Sequence, residues 1–334
     1  MQPRMAPKTL SIVKNRTYSP EVIARQAEML SNRVKKTFRR LHGSFEKRQI
    51  GVFRLYDWEI PEIRAVVDWY EGHLVVGEYV REQTEGTNWL EIMGEAVAKA
   101  LQVPPEKLHL RRRSTRPKQG ERYQKQATAG TGERFIAREG DLRFWVDLDS
   151  YLDTGLFADH RKTRAMVREQ AVGKEFLNLF AYTGSFTAYA AAGGANSTTS
   201  VDRSQRYLDW AEENMELNGF VGPEHEFVVE DVRTFLRQAA RMGKRWDLIV
   251  LDPPSFSTRG DVVEFDIQRD HRAVVIEALA VLRIHGTLYF STNHQRFQPA
   301  LEDLPQCTVE EITEKTTPLD YDGRTPHRAF RIDR

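Results

Sequence analysis

The sequence contains almost no cysteine and no long apolar run. Its 334 residues include a single cysteine, Cys307, which excludes an internal disulfide framework and a metal site built from several thiolates. No apolar stretch approaches the ~18 residues that a membrane-spanning helix requires, and the first residues lack the apolar core of a signal peptide. We therefore expect a cytoplasmic protein that has neither a membrane partner nor a bound metal.

Charge is balanced in total but unevenly distributed along the chain. The 49 Lys and Arg residues face 48 Asp and Glu residues, yet residues 1–48 carry a net charge of +9 and residues 107–134 one of +7. Such basic segments favour a polyanion as partner, although the same charge can be ordinary solvated surface. The second segment contains the candidate nucleic-acid-binding cations Arg111, Arg112, Arg113, Arg116, Lys118, Arg122 and Lys125.

The pattern of elements predicts two domains after a flexible N-terminus at 1–18. Residues 19–147 begin with an amphipathic helix at Ser19-Pro20 and continue as short strands, which indicates a small basic α+β domain. From 148 to 334 strands and helices alternate, which is typical of βαβ units with a parallel sheet covered on both faces. We expect this second domain to be an α/β Rossmann-like fold.

The first strands of the second domain are followed by residues suited to binding a nucleoside. In open α/β sheets, ligands bind beyond the carboxyl ends of the strands. An acid after the second strand, Asp202, can accept both hydroxyls of a ribose. The turn after the first strand precedes a helix whose free N–H groups can face a ligand, and it contains Phe180, Tyr182, Thr183 and Gly184.

Two further strands also end in acids. Asp231 can accept a hydrogen bond from an adenine amino group, although an acid at the start of a helix is more often a cap. Asp252 follows the fourth strand and begins the segment Asp-Pro-Pro-Ser-Phe. The sequence has neither the GxGxxG pattern of dinucleotide sites nor a phosphate-binding P-loop, so adenosine without phosphates fits best. The commonest cofactor of this kind is S-adenosylmethionine.

These segments resemble the successive motifs of class I methyltransferases. The matching stretches are NLFAYTGSFT, SVD at 200–202, ED at 230–231 and LDPPSFS at 251–257. Upstream, YLDTGLFADHR at 151–161 resembles a signature of bacterial rRNA methyltransferases related to the RlmI group. Three further segments resemble the RlmK branch in particular: FRLYD at 53–57, YQKQ at 123–126 and FDIQRDH at 265–271. The similarity extends over nearly the whole chain.

The resemblance implies a fold, a cofactor and a partner. It implies a mostly parallel seven-stranded sheet, S-adenosylmethionine as cofactor, and 23S rRNA or a large-subunit precursor as substrate. It also implies that Asp159 and Arg161 hold the methionine end of the cofactor. RlmK-type enzymes methylate guanine N7 and form the C-terminal half of the bifunctional RlmKL proteins. No RNA-binding THUMP region or second methyltransferase domain precedes residue 20, so the guanine-N2 activity of that other half is not expected here.

The segment after the fourth strand is the candidate catalytic group, comprising Asp252, Pro253, Pro254 and Phe256. Methylation of cytosine C5 requires a cysteine thiolate, but Cys307 lies far from the motifs and is better interpreted as a buried structural residue. Guanine N7 has an in-plane lone pair and needs only alignment with the donor. Asp252 could stabilise the cationic product or bind the base edge, and Phe256 could either stack on a flipped base or fill the core.

The residues alone leave several functions open. An exocyclic amine such as guanine N2 also suits an Asp-Pro-Pro turn, and only the resemblance favours N7. A methyltransferase for a protein or a small molecule would make little use of the two basic segments. A catalytically inactive RNA-binding module is disfavoured by the intact strand-end acids, and a cytosine-C5 enzyme by the lack of a motif cysteine.

Overall fold

The predicted helix start at Ser19-Pro20 is confirmed. A computed structural model describes residues 17–114, 133–150, 153–259 and 262–334, so most of the expected flexible N-terminus lies outside the described residues. Helix α1 spans Pro20–Lys47, and Ser19 Oγ accepts a hydrogen bond from the Val22 N–H at 3.5 Å. The apolar positions of α1 are buried, whereas its cationic positions face solvent.

A four-stranded sheet forms the centre of the first domain. The first three strands are antiparallel neighbours, while the fourth pairs in parallel with the third and therefore needs a crossover helix. Helices α1 and α2 cover one face of this sheet. The elements are β1 (Val52–Asp57), β2 (Ala65–Tyr70), β3 (His73–Val80), α2 (Trp89–Leu101) and β4 (Leu108–Ser114).

A β-hairpin lies between the two domains. Strands β5 (Phe135–Glu139) and β6 (Leu142–Val146) pair in antiparallel fashion. Their buried side chains share one apolar cluster with Val52 and Tyr70 of the first sheet and with Tyr189 of the second domain. The hairpin is thus packed against both domains, and the boundary that we place after residue 147 stays a prediction.

The second domain is built on a seven-stranded, mostly parallel sheet, as expected. The strand order is β14-β15-β13-β10-β7-β8-β9, and only β15 runs in the opposite direction, antiparallel to both of its neighbours. The strands are β7 (Glu175–Leu179), β8 (Ser197–Asp202), β9 (His225–Val229), β10 (Trp246–Leu251), β13 (Leu282–Thr292), β14 (Thr308–Glu311) and β15 (Arg328–Asp333).

Helices cover both faces of this sheet. They are α3 (Arg161–Gln170), α4 (Ser185–Ala192), α5 (Gln205–Leu217), α6 (Val232–Arg241), α7 (Ile267–Leu279) and the short α8 (Thr313–Thr316). A small hairpin that the sequence did not indicate, β11 (Phe256–Arg259) and β12 (Val262–Asp266), follows the Asp-Pro-Pro turn. Among the described residues, no helix is both long enough and apolar enough to cross a bilayer.

The strand order reverses direction between β7 and β10. Chain connections run outward from β7 through β8 to β9 on one side and from β10 to β13 on the other. The connecting loops at the carboxyl ends of β7 and β10 therefore separate and leave a crevice, which is where ligands bind in open α/β sheets.

Two buried ion pairs join the small domain to the second domain. Arg164 on α3 donates to both carboxylate oxygens of Glu139 on β5 at 2.7 and 2.8 Å, and each side chain is 1% exposed. In the second pair, Arg161 Nε lies 3.4 Å from Glu139 Oε2. The same guanidinium donates to the carbonyl oxygen of Val52 at 2.6 Å and, within the second domain, to Asp320 Oδ1 at 3.0 Å. These contacts fix the small sheet and the hairpin against the strand ends of the large sheet.

The Glu139–Arg164 pair should contribute strongly to stability. Replacing Glu139 by Gln leaves the Arg164 cation buried without a charged partner, so the free energy of unfolding should fall by about 3–5 kcal/mol. Urea denaturation followed by tryptophan fluorescence measures this change.

The matched control for this substitution is Asp141→Asn on the same hairpin. Asp141 pairs with Arg168 but is 65% exposed, so its loss should cost at most about 1 kcal/mol. Equal losses in both variants would show that the buried pair does not stabilise the junction of the domains.

Candidate functional site

A large cavity lies beyond the carboxyl ends of the parallel strands. Its volume is about 2310 Å³, and its walls come from the loops after β7, β8, β9, β10 and β13 and from the sheet of the small domain. Pockets for drug-sized ligands measure roughly 300–1,000 Å³. The cavity can therefore hold a small cofactor together with part of a second, larger ligand.

The turn after β7 presents only some of its predicted residues to the cavity. Phe180 and Tyr182 line the cavity and adopt positive φ angles of 58° and 49°. Thr183 is fully buried and donates its hydroxyl hydrogen bond to the Gly155 carbonyl. A Cβ on Gly184 would lie 2.7 Å from the Ala211 Cβ, so this glycine permits close packing on α5 rather than close approach to a ligand.

Asp202 both holds this turn and lines the cavity. Its two carboxylate oxygens accept hydrogen bonds from the Tyr182 N–H at 3.0 Å and the Ser204 N–H at 2.9 Å. Burial raises the pKa of Asp202 above its ordinary value. Since each oxygen can accept more than one hydrogen bond, the carboxylate can still bind hydroxyl groups of a ligand.

The position of Asp231 is compatible with both roles that the sequence left open. Its side chain caps α6 by accepting a hydrogen bond from the Thr234 N–H at 3.0 Å. The residue also lines the cavity on the side of Asp202. The second carboxylate oxygen has lone pairs available for an amino group of a ligand.

The Asp-Pro-Pro turn lies at the end of β10 and contributes Asp252, Pro253, Pro254 and Phe256 to the cavity wall. Ser291 Oγ donates to Asp252 Oδ1 at 2.6 Å, which fixes the carboxylate from the neighbouring strand β13. The ring of Phe256 is half-buried and meets His294 edge-on, with 5.9 Å between the ring centroids. The predicted catalytic group is therefore assembled on one wall of the cavity.

The predicted site residue Asp159 forms a cluster beside Asp252 with two histidines that the sequence analysis did not predict as site residues. The rings of His160 and His327 stack with their centroids 4.3 Å apart, and His160 Nε2 lies 3.5 Å from Asp252 Oδ2. Burial by itself would raise the pKa of Asp159. The nearby His160 and the hydrogen bond from His327 outweigh burial and lower this pKa below its ordinary range. Burial lowers the pKa of His160.

The donor atoms of this cluster lie close enough together to be considered for a metal ion. Suitable atoms of Asp159, His160 and His327 all lie within 4.8 Å of one another. Both nitrogens of His327 are already used, however, since they contact Asp159 Oδ2 and Thr316 Oγ1 at 3.1 Å each. His327 is therefore held by hydrogen bonds on both sides, whereas His160 Nδ1 is buried without a hydrogen-bond partner among the described residues.

The two residues expected at the methionine end of a cofactor differ in placement. Asp159 lines the cavity, whereas the Arg161 guanidinium is directed to Asp320 and to the Val52 carbonyl oxygen. The structure thus does not bring Arg161 to the cavity, and its role is to hold the domains together. A guanidinium with these protein partners is not available to a carboxylate ligand.

The predicted nucleic-acid-binding cations also differ in their surroundings. Arg111 is 2% exposed and donates to the Leu148 carbonyl oxygen, so it is a structural residue and not a surface contact. Arg112 donates to both oxygens of Glu91, and only Arg113 is half-buried at the cavity wall without such a carboxylate bond. The remaining predicted cations lie outside the described residues: Arg116, Lys118, Arg122 and Lys125.

Arginines from other parts of the chain line the cavity together with Arg111, Arg112 and Arg113. Because they are far apart in sequence, no local run of charge indicated them. Those that are exposed in the structure are Arg203, Arg206, Arg237 and Arg324.

Comparisons with known proteins agree with this geometry. The model of the S-adenosylmethionine-dependent methyltransferase family matches residues 55–323. The ribosomal RNA large subunit methyltransferase K of Neisseria meningitidis is 42% identical over 309 residues, which cover 90% of this chain and 86% of that protein. The ribosomal RNA large subunit methyltransferase K/L of Methylococcus capsulatus is 40% identical over 92% of this chain, but the match spans only 43% of that longer protein.

Solved structures show the same fold. The crystal structure of SMU.776, a candidate methyltransferase complexed with SAH, superposes with a TM-score of 0.72 at 22% identity and covers 93% of this chain and 82% of its own. A candidate S-adenosylmethionine-dependent methyltransferase from Streptococcus mutans gives a TM-score of 0.72 at 21% identity, with 92% and 81% of the two chains covered.

Asp202 should control the affinity for S-adenosylmethionine, the cofactor for which the matching family is named. Asp202→Ala removes the acceptors for two ribose hydroxyls and releases the Tyr182 turn, so the dissociation constant should rise by about tenfold or more. Isothermal titration calorimetry measures the change. Asp209→Ala, which removes an exposed acid from α5, should leave affinity unchanged. An unaltered dissociation constant in Asp202→Ala would remove Asp202 from the cofactor site.

Proposed function

Since the chain belongs to the S-adenosylmethionine-dependent methyltransferases, and within them to the ribosomal RNA large subunit methyltransferase K group, we propose that it methylates a guanine of 23S rRNA at N7. The observation that carries this proposal is the wall formed by Asp252, Pro253, Pro254 and Phe256 in a cavity that also holds the nucleoside-binding acids. A substrate ring that enters between these two parts of the cavity would meet the donor directly.

The chain offers no thiolate for a covalent mechanism at this wall. Cys307, the one cysteine of the sequence, is partly buried and packs against the apolar cluster around β13 and β15. Burial raises the pKa of the Cys307 thiol, which disfavours the nucleophilic form. The nucleophile is therefore an atom of the substrate, and guanine N7 supplies an in-plane lone pair without needing a general base.

The residues at the cavity wall have distinct proposed roles in this reaction. When bound, the cofactor supplies a methyl group activated by the sulfonium charge. Asp202 and Asp231 hold the ribose and the adenine, and the Phe180 and Tyr182 side chains cover the same end of the cavity. Asp252, fixed by Ser291, places a negative charge where the methylated purine becomes cationic, and Phe256 stacks on the base.

The size and charge of the cavity support an RNA substrate. A volume of about 2310 Å³ has room for a base flipped out of its stack beside the cofactor. Arginines at its rim, such as Arg203, Arg206 and Arg324, suit phosphate groups because guanidinium binds phosphate in a bidentate manner. On the same ground we propose 23S rRNA or its precursor as the partner and the cytoplasm as the location.

The product of the reaction tests this proposal. Incubation of the protein with labelled S-adenosylmethionine and unmodified 23S rRNA should yield 7-methylguanosine after digestion to nucleosides. The fixed positive charge makes the modified base labile to reduction and aniline cleavage, so the same RNA also maps the position.

Two variants make the product experiment specific. Cys307→Ser should retain full activity, since no enzyme thiolate takes part, while Asp252→Ala should lower kcat far more than affinity for the cofactor. N2-methylguanosine or 5-methylcytidine as the sole product would contradict the proposed chemistry. Loss of activity in a folded Cys307→Ser variant would favour a covalent cytosine mechanism.

A further inference from the structure

We propose that Asn293 selects guanine by donating a hydrogen bond to O6 of the target base, an inference that rests on the proposed function. Asn293 follows the carboxyl end of β13, is exposed, and lines the cavity. It belongs to the segment Ser-Thr-Asn-His-Gln, which is not part of any motif that indicated the site.

The strand register places Asn293 beside the catalytic turn. Strands β10 and β13 are parallel neighbours, with Leu251 opposite Phe290. The next residues along both strands are therefore also neighbours, as the 2.6 Å hydrogen bond from Ser291 Oγ to Asp252 Oδ1 shows. Further on, Ser255 Oγ donates to Asn293 Oδ1 at 2.7 Å, which ties the end of β13 to the Asp-Pro-Pro turn.

The hydrogen bond from Ser255 determines which end of the Asn293 amide is available. With Oδ1 accepting from Ser255, the Nδ2 amino group and its two N–H donors are left for a ligand. No described residue accepts a hydrogen bond from this nitrogen. An exposed donor pair that is held on the Asp-Pro-Pro-Ser turn is suited to binding an acceptor on the substrate base.

The edge of guanine next to N7 carries such an acceptor. Guanine presents N7 and O6 as acceptors, whereas adenine presents N7 and an N6 amino donor. The N7 lone pair is committed to the methyl group during transfer, so a recognising donor must bind O6. An adenine in the same position would set its amino hydrogens against the Asn293 N–H groups. The oriented amide thus distinguishes guanine from adenine at the atom adjacent to the nucleophile.

An isosteric variant separates the donor from the shape of the side chain. Asn293→Asp keeps an oxygen for Ser255 but removes both N–H donors, and Asn293→Ala removes the amide without adding charge. In both variants kcat/KM for rRNA should fall by about fivefold or more, because one hydrogen bond to the base is lost. The dissociation constant for S-adenosylmethionine should not change, which also verifies that the variants are folded.

The specificity ratio gives a readout that a purely structural role would not change. Once the target position is mapped, transcripts carrying guanosine or adenosine there should be methylated by the wild-type protein with a strong preference for guanosine. In Asn293→Asp this preference should fall by about tenfold, since a carboxylate repels O6 and accepts from an adenine amino group. Ser255→Ala, which frees the amide to rotate, should reduce the same preference.

The matched control is Gln295→Ala, which removes an exposed amide two residues further along the same loop. It should retain the wild-type guanosine preference.

Unchanged kcat/KM and unchanged preference in both Asn293 variants would overturn the inference, as would an equal loss of preference in Gln295→Ala. If the wild-type protein forms 7-methylguanosine while the Asn293 variants behave normally, only this inference fails. If no 7-methylguanosine forms at all, the proposed function itself fails.

Discussion

The site depends on the buried ion pairs that fix the small domain over the strand ends of the large sheet. Glu139 accepts both donors of Arg164 and a hydrogen bond from the Tyr189 hydroxyl, all within the interface between hairpin, α3 and α4. Charges at such depth are tolerated only when fully paired, so the pairs specify one relative placement of the domains. Because the cavity takes its walls from both domains, its shape follows from that placement.

The topology of the sheet places the residues suited to the cofactor and those suited to the substrate base on different sides of the cavity. The loops after β8 and β9 carry the acids suited to a nucleoside, and the loops after β10 and β13 carry the Asp252 turn and Asn293. The reversal of strand order between β7 and β10 separates these groups while keeping them adjacent. A cofactor on one side and a substrate base on the other can therefore meet at the crevice between β7 and β10.

The features that depend on a local sequence pattern could be predicted from the sequence. The residues whose roles depend on partners far away in the chain could not. The alternation of strands and helices predicted the parallel sheet, and the position of Asp202, Asp231 and Asp252 after successive strands predicted their convergence. The role of Arg161 could not be predicted in this way, because its partner Asp320 lies 159 residues away. His327 and Asn293 likewise reach the site only through the pairing of β13 with β10 and β15.

We propose that a guanine enters the cavity between the domains with N7 directed at the methyl donor. A structure of the protein with S-adenosylhomocysteine and an rRNA fragment containing the target nucleotide tests it most directly. We expect a flipped guanine stacked on Phe256, with N7 facing the cofactor sulfur and O6 within hydrogen-bond distance of Asn293. A base that presents another atom to the sulfur, or an RNA bound away from the cavity, would contradict it.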